Sequence, residues 1–193
     1  MDAPGFNFTS QIRIVIDDMV ARLPELKHID LSRVAIAFAQ ARNRSRYGTH
    51  ATLTPMRFQH GALTTQRRGR TYTVQRVYDA SGAEMLYILT FYLPRFMDVD
   101  FAEKLVTILH ELWHISPEFD GDIRRHAGRC YAHTHSQKEY DAQMEVFANR
   151  WLATLPRDDL LQFLRLDFSE LSNAHGSIFG MRLPTPKLIA VDA

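Results

Sequence analysis

Leu105-Val106-Thr107-Ile108-Leu109-His110-Glu111-Leu112-Trp113-His114-Ile115 carries two patterns at once. Phe101, Leu105, Ile108, Leu112 and Ile115 recur at steps of four and three, the spacing of one buried stripe on an α-helix. His110 and His114 lie off that stripe and four residues apart, so a helix stacks their imidazoles on one face. Two imidazoles aimed at one point are what a tetrahedral Zn²⁺ takes from two of its ligands. Glu111 sits about 100° further round the helix, where it reaches a metal-bound water better than the metal itself. His110-Glu111-x-x-His114 is thus two ligands and one general base. Asp100 is a good N-cap with Glu103 as its capping-box partner, and Pro117 ends the helix. The plainer alternative is a pair of surface histidines on a helix face.

Composition sets the frame. The chain has 193 residues, 46% hydrophobic and 23% charged, ordinary for a soluble globular protein and short enough for a single domain over 1–193. The core is expected over about 6–166, with 176–193 as an extended arm. A net charge of +1 gives no overall push toward nucleic acid or an anionic membrane, so neither is an expected partner. No apolar run approaches a membrane span, and Met1-Asp2-Ala3-Pro4-Gly5 has no signal-peptide character. One cysteine, Cys130, excludes an internal disulfide and a four-cysteine zinc ribbon. The expectation is a cytoplasmic, reduced protein; its oligomeric state is not legible.

Working outward, residues 6–23 read as a helix capped by Thr9 or Ser10, with Ile12, Val15, Ile16, Met19, Val20 and Leu23 inward. Arg33–Gln40 alternates large and small side chains, and a strand puts Val34, Ile36 and Phe38 on one face. Residues 42–48 and Arg67-Arg68-Gly69-Arg70 are basic, and a solvated loop is the plainer reading of each over a nucleic-acid contact. His50 and His60 have no ligand-spaced neighbour. Residues 71–79 and 84–93 read as two strands of one hairpin across Ala80-Ser81-Gly82-Ala83, closed by Pro94. Residues 116–136 are a long loop, which inside a small domain is usually functional. Ser136-Gln137-Lys138-Glu139 opens a helix to about Leu155, with Tyr140, Met144, Phe147, Trp151 and Leu155 inward. A short helix is expected at 158–166, and after Gly176 an edge strand or arm.

A catalytic zinc takes a third protein ligand and keeps one position open. Five of the nine histidines fall between 110 and 135. Among His126, His133, His135, Cys130, Asp120 and Glu118, the reading favours His133, with His135 the alternative, because both immediately precede a capped helix that fixes their position. In an extended segment the two point the same way and compete. Glu118 is too close to the helix end, and His126 adjoins Arg124 and Arg125. Asp120, Asp122 and Asp141 are candidates to orient a ligating imidazole, although Asp120-Gly121-Asp122 also reads as an Asx turn. Tyr131 or Tyr140 is a candidate donor to a developing oxyanion, with packing the plainer reading of each.

Phe91-Tyr92-Leu93-Pro94-Arg95-Phe96, His110-Glu111-Leu112-Trp113-His114-Ile115-Ser116-Pro117, Phe119-Asp120-Gly121-Asp122-Ile123-Arg124-Arg125 and His133-Thr134-His135-Ser136 with Tyr140-Asp141 resemble the phage metallopeptidase family. The resemblance covers about residues 30–155, and the Gly-Asp-x-Arg-Arg block is its most distinctive part. It is similar, more loosely, to SprT-like zinc domains, without their ribbon cysteines. The resemblance implies an α+β, zincin-like fold of the minigluzincin type: an N-terminal helix, a small, mostly antiparallel sheet of three to four strands, the HExxH helix, a metal-site loop and a second core helix. It also implies a zinc metalloendopeptidase acting on a peptide or protein substrate, with Glu111 as base, His110, His114 and His133 on Zn²⁺, and an edge strand to hold the substrate main chain. The rival expectation is a non-catalytic zinc module contacting nucleic acid or another phage protein.

Overall fold

The computed structural model describes residues 5–42, 48–125 and 137–191. Within them the order is β1 (Phe6–Asn7), α1 (Phe8–Arg22), β2 (Val34–Gln40), β3 (Ala51–Pro55), β4 (Thr64–Arg67), β5 (Arg70–Val74), β6 (Tyr87–Leu93), α2 (Phe101–Trp113), α3 (Gln137–Ala153), α4 (Asp158–Leu161), α5 (Phe168–His175), β7 (Ile178–Phe179) and β8 (Leu188–Ala190). The chain is α+β, as its sequence indicates.

β6 organises the central sheet, whose order is β2-β6-β3. It is a nearly continuous apolar run, so it belongs in the middle, covered on both faces. Tyr87, Leu89, Phe91 and Leu93 face the main core with Val34, Ile36 and Phe38 of β2. Ile88 faces the other way, with Ala35, Ala37, Met56 and Met85. The alternation read in Arg33–Gln40 is therefore a true two-sided strand.

Two expectations about the sheet need correction. β2 runs parallel to β6, so the central sheet is mixed rather than mostly antiparallel. Residues 71–79 and 84–93 do not form a hairpin within one sheet. Their turn exists: the Asp79 carboxylate accepts from the amides of Ser81 and Ala83, and Tyr78 bridges Glu84. Beyond it the strands part, because both edges of β6 are taken by β2 and β3. β5, with alternating Thr71, Tyr72, Thr73 and Val74, joins a second sheet of order β4-β5-β8. β3 itself was missed, although Ala51-Thr52-Leu53-Thr54 alternates in the manner of a strand.

α1 and α2 pack on one face of the central sheet, and α3 packs on α2. Phe8, Ile12, Val15, Ile16 and Met19 of α1 are fully buried, as are Leu105, Ile108 and Leu112 of α2 with Ile115 just beyond it. Asn7 caps α1, its side chain accepting from the Ser10 amide; Thr9 accepts instead from the Met181 amide of the C-terminal arm. Trp151 of α3 is buried and donates to Asp18 of α1 at 2.9 Å. Leu155, expected on that inner face, is 84% exposed. α3 ends at Ala153, and Leu155 turns to φ +52 immediately before Pro156, which disfavours a helical predecessor. The short helix expected at 158–166 is α4 with the 3-10 turn after it. α5, whose start is a true capping box of Asp167 and Glu170, was not anticipated. The arm after Gly176 supplies β7 beside β1 and β8 beside β5.

α2 is held at its N-terminal end by a buried cation. Asp100 caps it through the Glu103 amide. Lys104 is 2% exposed and its Nζ donates to the carbonyls of Leu164 and Leu166 at 2.9 and 2.7 Å. Lys104→Ala leaves both carbonyls unsatisfied beside a small void, and is expected to lower stability by about 3 kcal/mol in urea unfolding. A loss under about 1 kcal/mol would mean that the ammonium does not anchor the helix.

Candidate metal centre

His110 lies in the last turn of α2 and His114 is its C-cap residue, still in αR geometry at φ −68°, ψ −15°. The two rings come within 4.8 Å of each other, centroid to centroid, at an interplanar angle of 78°. Both are half-buried. The first turn of α3 closes over them: the Tyr140 ring is 4.7 Å from His110 and stacks on His114 at 5.7 Å and 23°. Asp141, the next residue, faces the Nδ1 of His110 at 3.8 Å.

Glu111 points elsewhere, as its helical angle requires. It is 9% exposed and lies against β3. Tyr92 donates to the His50 carbonyl and Met56 to the Leu86 carbonyl, so positions 50, 52, 54 and 56 direct their main chain toward β6. Ala51, Leu53 and Pro55 direct theirs to the open edge. Pro55, which has no amide to donate, fits that side. The main chain of Leu53 hydrogen-bonds to the Glu111 carboxyl there. Burial raises the Glu111 pKa to about 7, with the Leu53 bond pulling the other way. Burial also pushes the Tyr140 hydroxyl upward, with Arg124 opposing and Glu111 and Asp141 adding, so it stays protonated at neutral pH.

A cleft of about 410 Å³ opens between β3 and α2, lined by His50, Ala51, Glu103, His110, Glu111 and Asp141. A larger hollow of about 570 Å³ lies at the other edge of the sheet, against Val77, Met85, Met181 and Leu183. It contains no histidine and is not a metal site. His50 and Leu53 are the residues that sequence reasoning passed over. Nothing in their spacing marks them; only the strand pattern of 51–54 would have placed them beside the helix.

The segment after α2 is built to stay close to it. The Arg124 amide donates to the His114 carbonyl at 2.7 Å, and its side-chain Nε donates to the Trp113 carbonyl at 2.7 Å. The guanidinium covers the Trp113 ring at 3.8 Å. One arginine thus satisfies two carbonyls that a helix end leaves orphaned. Ile115 bridges Ile123, and the Ser116 amide donates to the Asp122 carbonyl. Asp122 accepts from Nε and Nη2 of Arg125, both at 2.8 Å, and from the amides of Ile123 and His60. Burial opposes its charge, but those donors hold its carboxyl below the ordinary range. The buried Tyr87 hydroxyl donates to the Asp122 carbonyl and accepts from the Gly121 amide. Gly121 has φ +89°, and a Cβ there would meet Arg57 Cγ at 2.5 Å, so only glycine fits. Asp120 accepts from the Asp122 amide, which is the Asx turn. Asp120 and Asp122 therefore shape the loop, and among the described residues Asp141 is the candidate orienting carboxylate beside a candidate ligand.

His126, Cys130, Tyr131, His133, His135 and the Ser136 cap lie outside the described residues. Among the described residues no three His, Cys, Asp or Glu side chains group closely enough to hold a metal ion. His110 and His114 are two donors, with Arg124 of the segment after α2 on the His114 carbonyl and Tyr140 of α3 against both rings.

The sequence matches the family described as Putative phage metallopeptidase over residues 8–141, more than half of the chain. The chain belongs to that family. The match runs from the start of α1 to Asp141, and so takes in β3, α2, the clamped loop and the turn of α3 that covers the histidines. No curated protein and no solved structure matches the chain. Metallopeptidase membership implies a metal. No described helix is long and apolar enough to cross a membrane.

The buried carboxyl makes a prediction for the metal-free protein. Glu111 has a folded-state pKa of about 7, above its ordinary 4.5, so folding costs nothing extra while it is protonated in both states. The cost develops as pH rises from 4.5 and is complete above about 7. Metal-free Glu111→Gln should therefore match the wild type at the acid end and exceed it at pH 8 by on the order of 3 kcal/mol. A pH-independent difference between the two would contradict the burial argument.

Proposed function

We propose that the chain is a zinc-dependent endopeptidase of zincin type, acting on peptide or protein substrates in the cleft between β3 and α2. The observation that carries the reading is the position of Glu111: a buried carboxyl on the turn between two facing histidines, hydrogen-bonded to the open edge of a strand. A structural metal site has no use for such a group.

His110 and His114 fit zinc by chemistry, being borderline nitrogen donors on one face, and His133, or else His135, is the third ligand. When bound, zinc lowers the pKa of a water and polarises a carbonyl as a Lewis acid. The chain's own residues do the rest. Asp141, beside His110 Nδ1, fixes that ring and leaves Nε2 for the metal. Glu111 takes the proton from the attacking water at its carboxylate and passes it to the leaving amine. The open edge of β3 accepts an extended substrate main chain through Ala51 and the Leu53 carbonyl, while the Leu53 amide holds Glu111 beside the scissile bond. The Tyr140 hydroxyl, kept protonated by burial, donates to the oxygen that becomes negative in the transition state.

Two measurements test this. Glu111→Gln should keep one zinc per chain by elemental analysis and lose nearly all hydrolysis of an unfolded protein substrate; full retained activity would refute the mechanism. His133→Ala and His135→Ala, assayed side by side for bound zinc, assign the third ligand. Loss of zinc is expected in the first and retention in the second, and zinc retained in both variants would remove this ligand set.

A further inference from the structure

Residues 58–78 and 176–191 contain six cations, Arg67, Arg68, Arg70, Arg76, Arg182 and Lys187, and no Asp or Glu. The chain as a whole is only +1, so the remainder carries −5. Near-neutral overall charge hides this segregation. The two stretches meet in the β4-β5-β8 sheet. Arg76 lies 3.5 Å from Glu84, and Arg182 covers the Phe38 ring at 4.9 Å. Arg67, Arg68 and Arg70 have no carboxylate partner among the described residues.

Those three sit on the tip of the β4–β5 hairpin. Arg68 and Gly69 take φ of +50° and +74°, the left-handed pair of a two-residue hairpin turn. Nothing lies within 4 Å of a Cβ built on Gly69, so the tip projects into open space. In the register, Arg67 is opposite Arg70 and Thr65 is opposite Tyr72. Cross-strand partners share a face, so two guanidiniums and the Tyr72 ring stand together, with Arg68 at the end. Like charges directly opposite are unfavourable unless an anion lies between them. The sheet does not offset that by burial: Arg67 and Arg70 are exposed, and so are Leu188 and Ile189 of β8 at 44% and 47%.

We propose that the β4–β5 hairpin binds the phosphodiester backbone of duplex DNA. A guanidinium fork matches phosphate geometry, and three sit on one narrow ribbon. The major groove of B-DNA, about 12 Å wide, admits a two-stranded β-ribbon, whereas the A-form groove of RNA is too narrow. A protein partner would need a desolvated apolar anchor, and the tip offers only arginine, glycine, glutamine and threonine beside Tyr72. The site is on a different sheet from the one beside Glu111 and stands whether or not the chain is a peptidase.

The test is fluorescence anisotropy of the full chain with a labelled mixed-sequence duplex of about 30 base pairs, across 50 to 200 mM salt. Three phosphate contacts give a log–log salt slope near −2.7, or roughly 40-fold weaker binding across that range. The combined Arg67→Ala, Arg68→Ala, Arg70→Ala variant should flatten the slope and bind at least about 10-fold more weakly at the lowest salt. The corresponding triple lysine variant should retain the slope, and Glu111→Gln should bind as the wild type does. Three results would overturn the proposal: no saturable DNA binding, unchanged binding by the alanine variant, or competition by polyglutamate or an RNA duplex as effective as by unlabelled DNA.

Discussion

The burial of one face of α2 constrains everything else at the site. Leu105, Ile108, Leu109 and Leu112 are all sealed beneath the sheet and α3, so the helix cannot rotate about its axis. Helical geometry then dictates the remaining directions. His110 and His114 face α3, and Glu111 faces the edge of β3. Side chains on a helix locked by packing are held more firmly than side chains on a loop. Lys104 adds an anchor at the other end, tying the helix to the turn that follows α4.

The second constraint is the treatment of the end of α2. A helix C-terminus presents unsatisfied carbonyls, and here it also presents His114. Arg124 satisfies the carbonyls of Trp113 and His114 from the returning loop, while Asp122, Arg125, Tyr87 and Gly121 knit that loop to β6 and to the segment after β3. The Gly-Asp-x-Arg-Arg block is therefore a clamp. Its charges, which from sequence weighed against a nearby cation, are engaged with carbonyls and a carboxylate. The clamp keeps Ile123 and Arg124 against the end of α2.

How much was legible depended on the range of the signal. α1, α2, α3 and β2 were readable because periodicity and caps are local, and the apolar stripes at Ile12–Met19 and Leu105–Ile115 were the buried ones. The pairing of strands was not. The turn at Asp79–Ala83 suggested a hairpin, yet β6 found better partners in β2 and β3, and strand pairing is decided by burial across the whole sheet rather than by the turn between neighbours. β3 was passed over because five residues ending in proline give a weak signal by themselves. With it went His50 and the Leu53 amide, which acquire meaning only from being next to Glu111.

The sequence alone determined the chemistry on offer: two imidazoles and a carboxylate at fixed helical angles, one cysteine, and three arginines within four residues. Those follow from residue identity and from a 3.6-residue period. Tertiary structure decided what each group meets. It put Glu111 against an open strand edge, Tyr140 and Asp141 over the histidines, and Arg124 on the end of α2, and it gathered two distant basic stretches into one sheet. Contacts between residues far apart in the chain depend on which faces are buried together, and no local pattern carries that information.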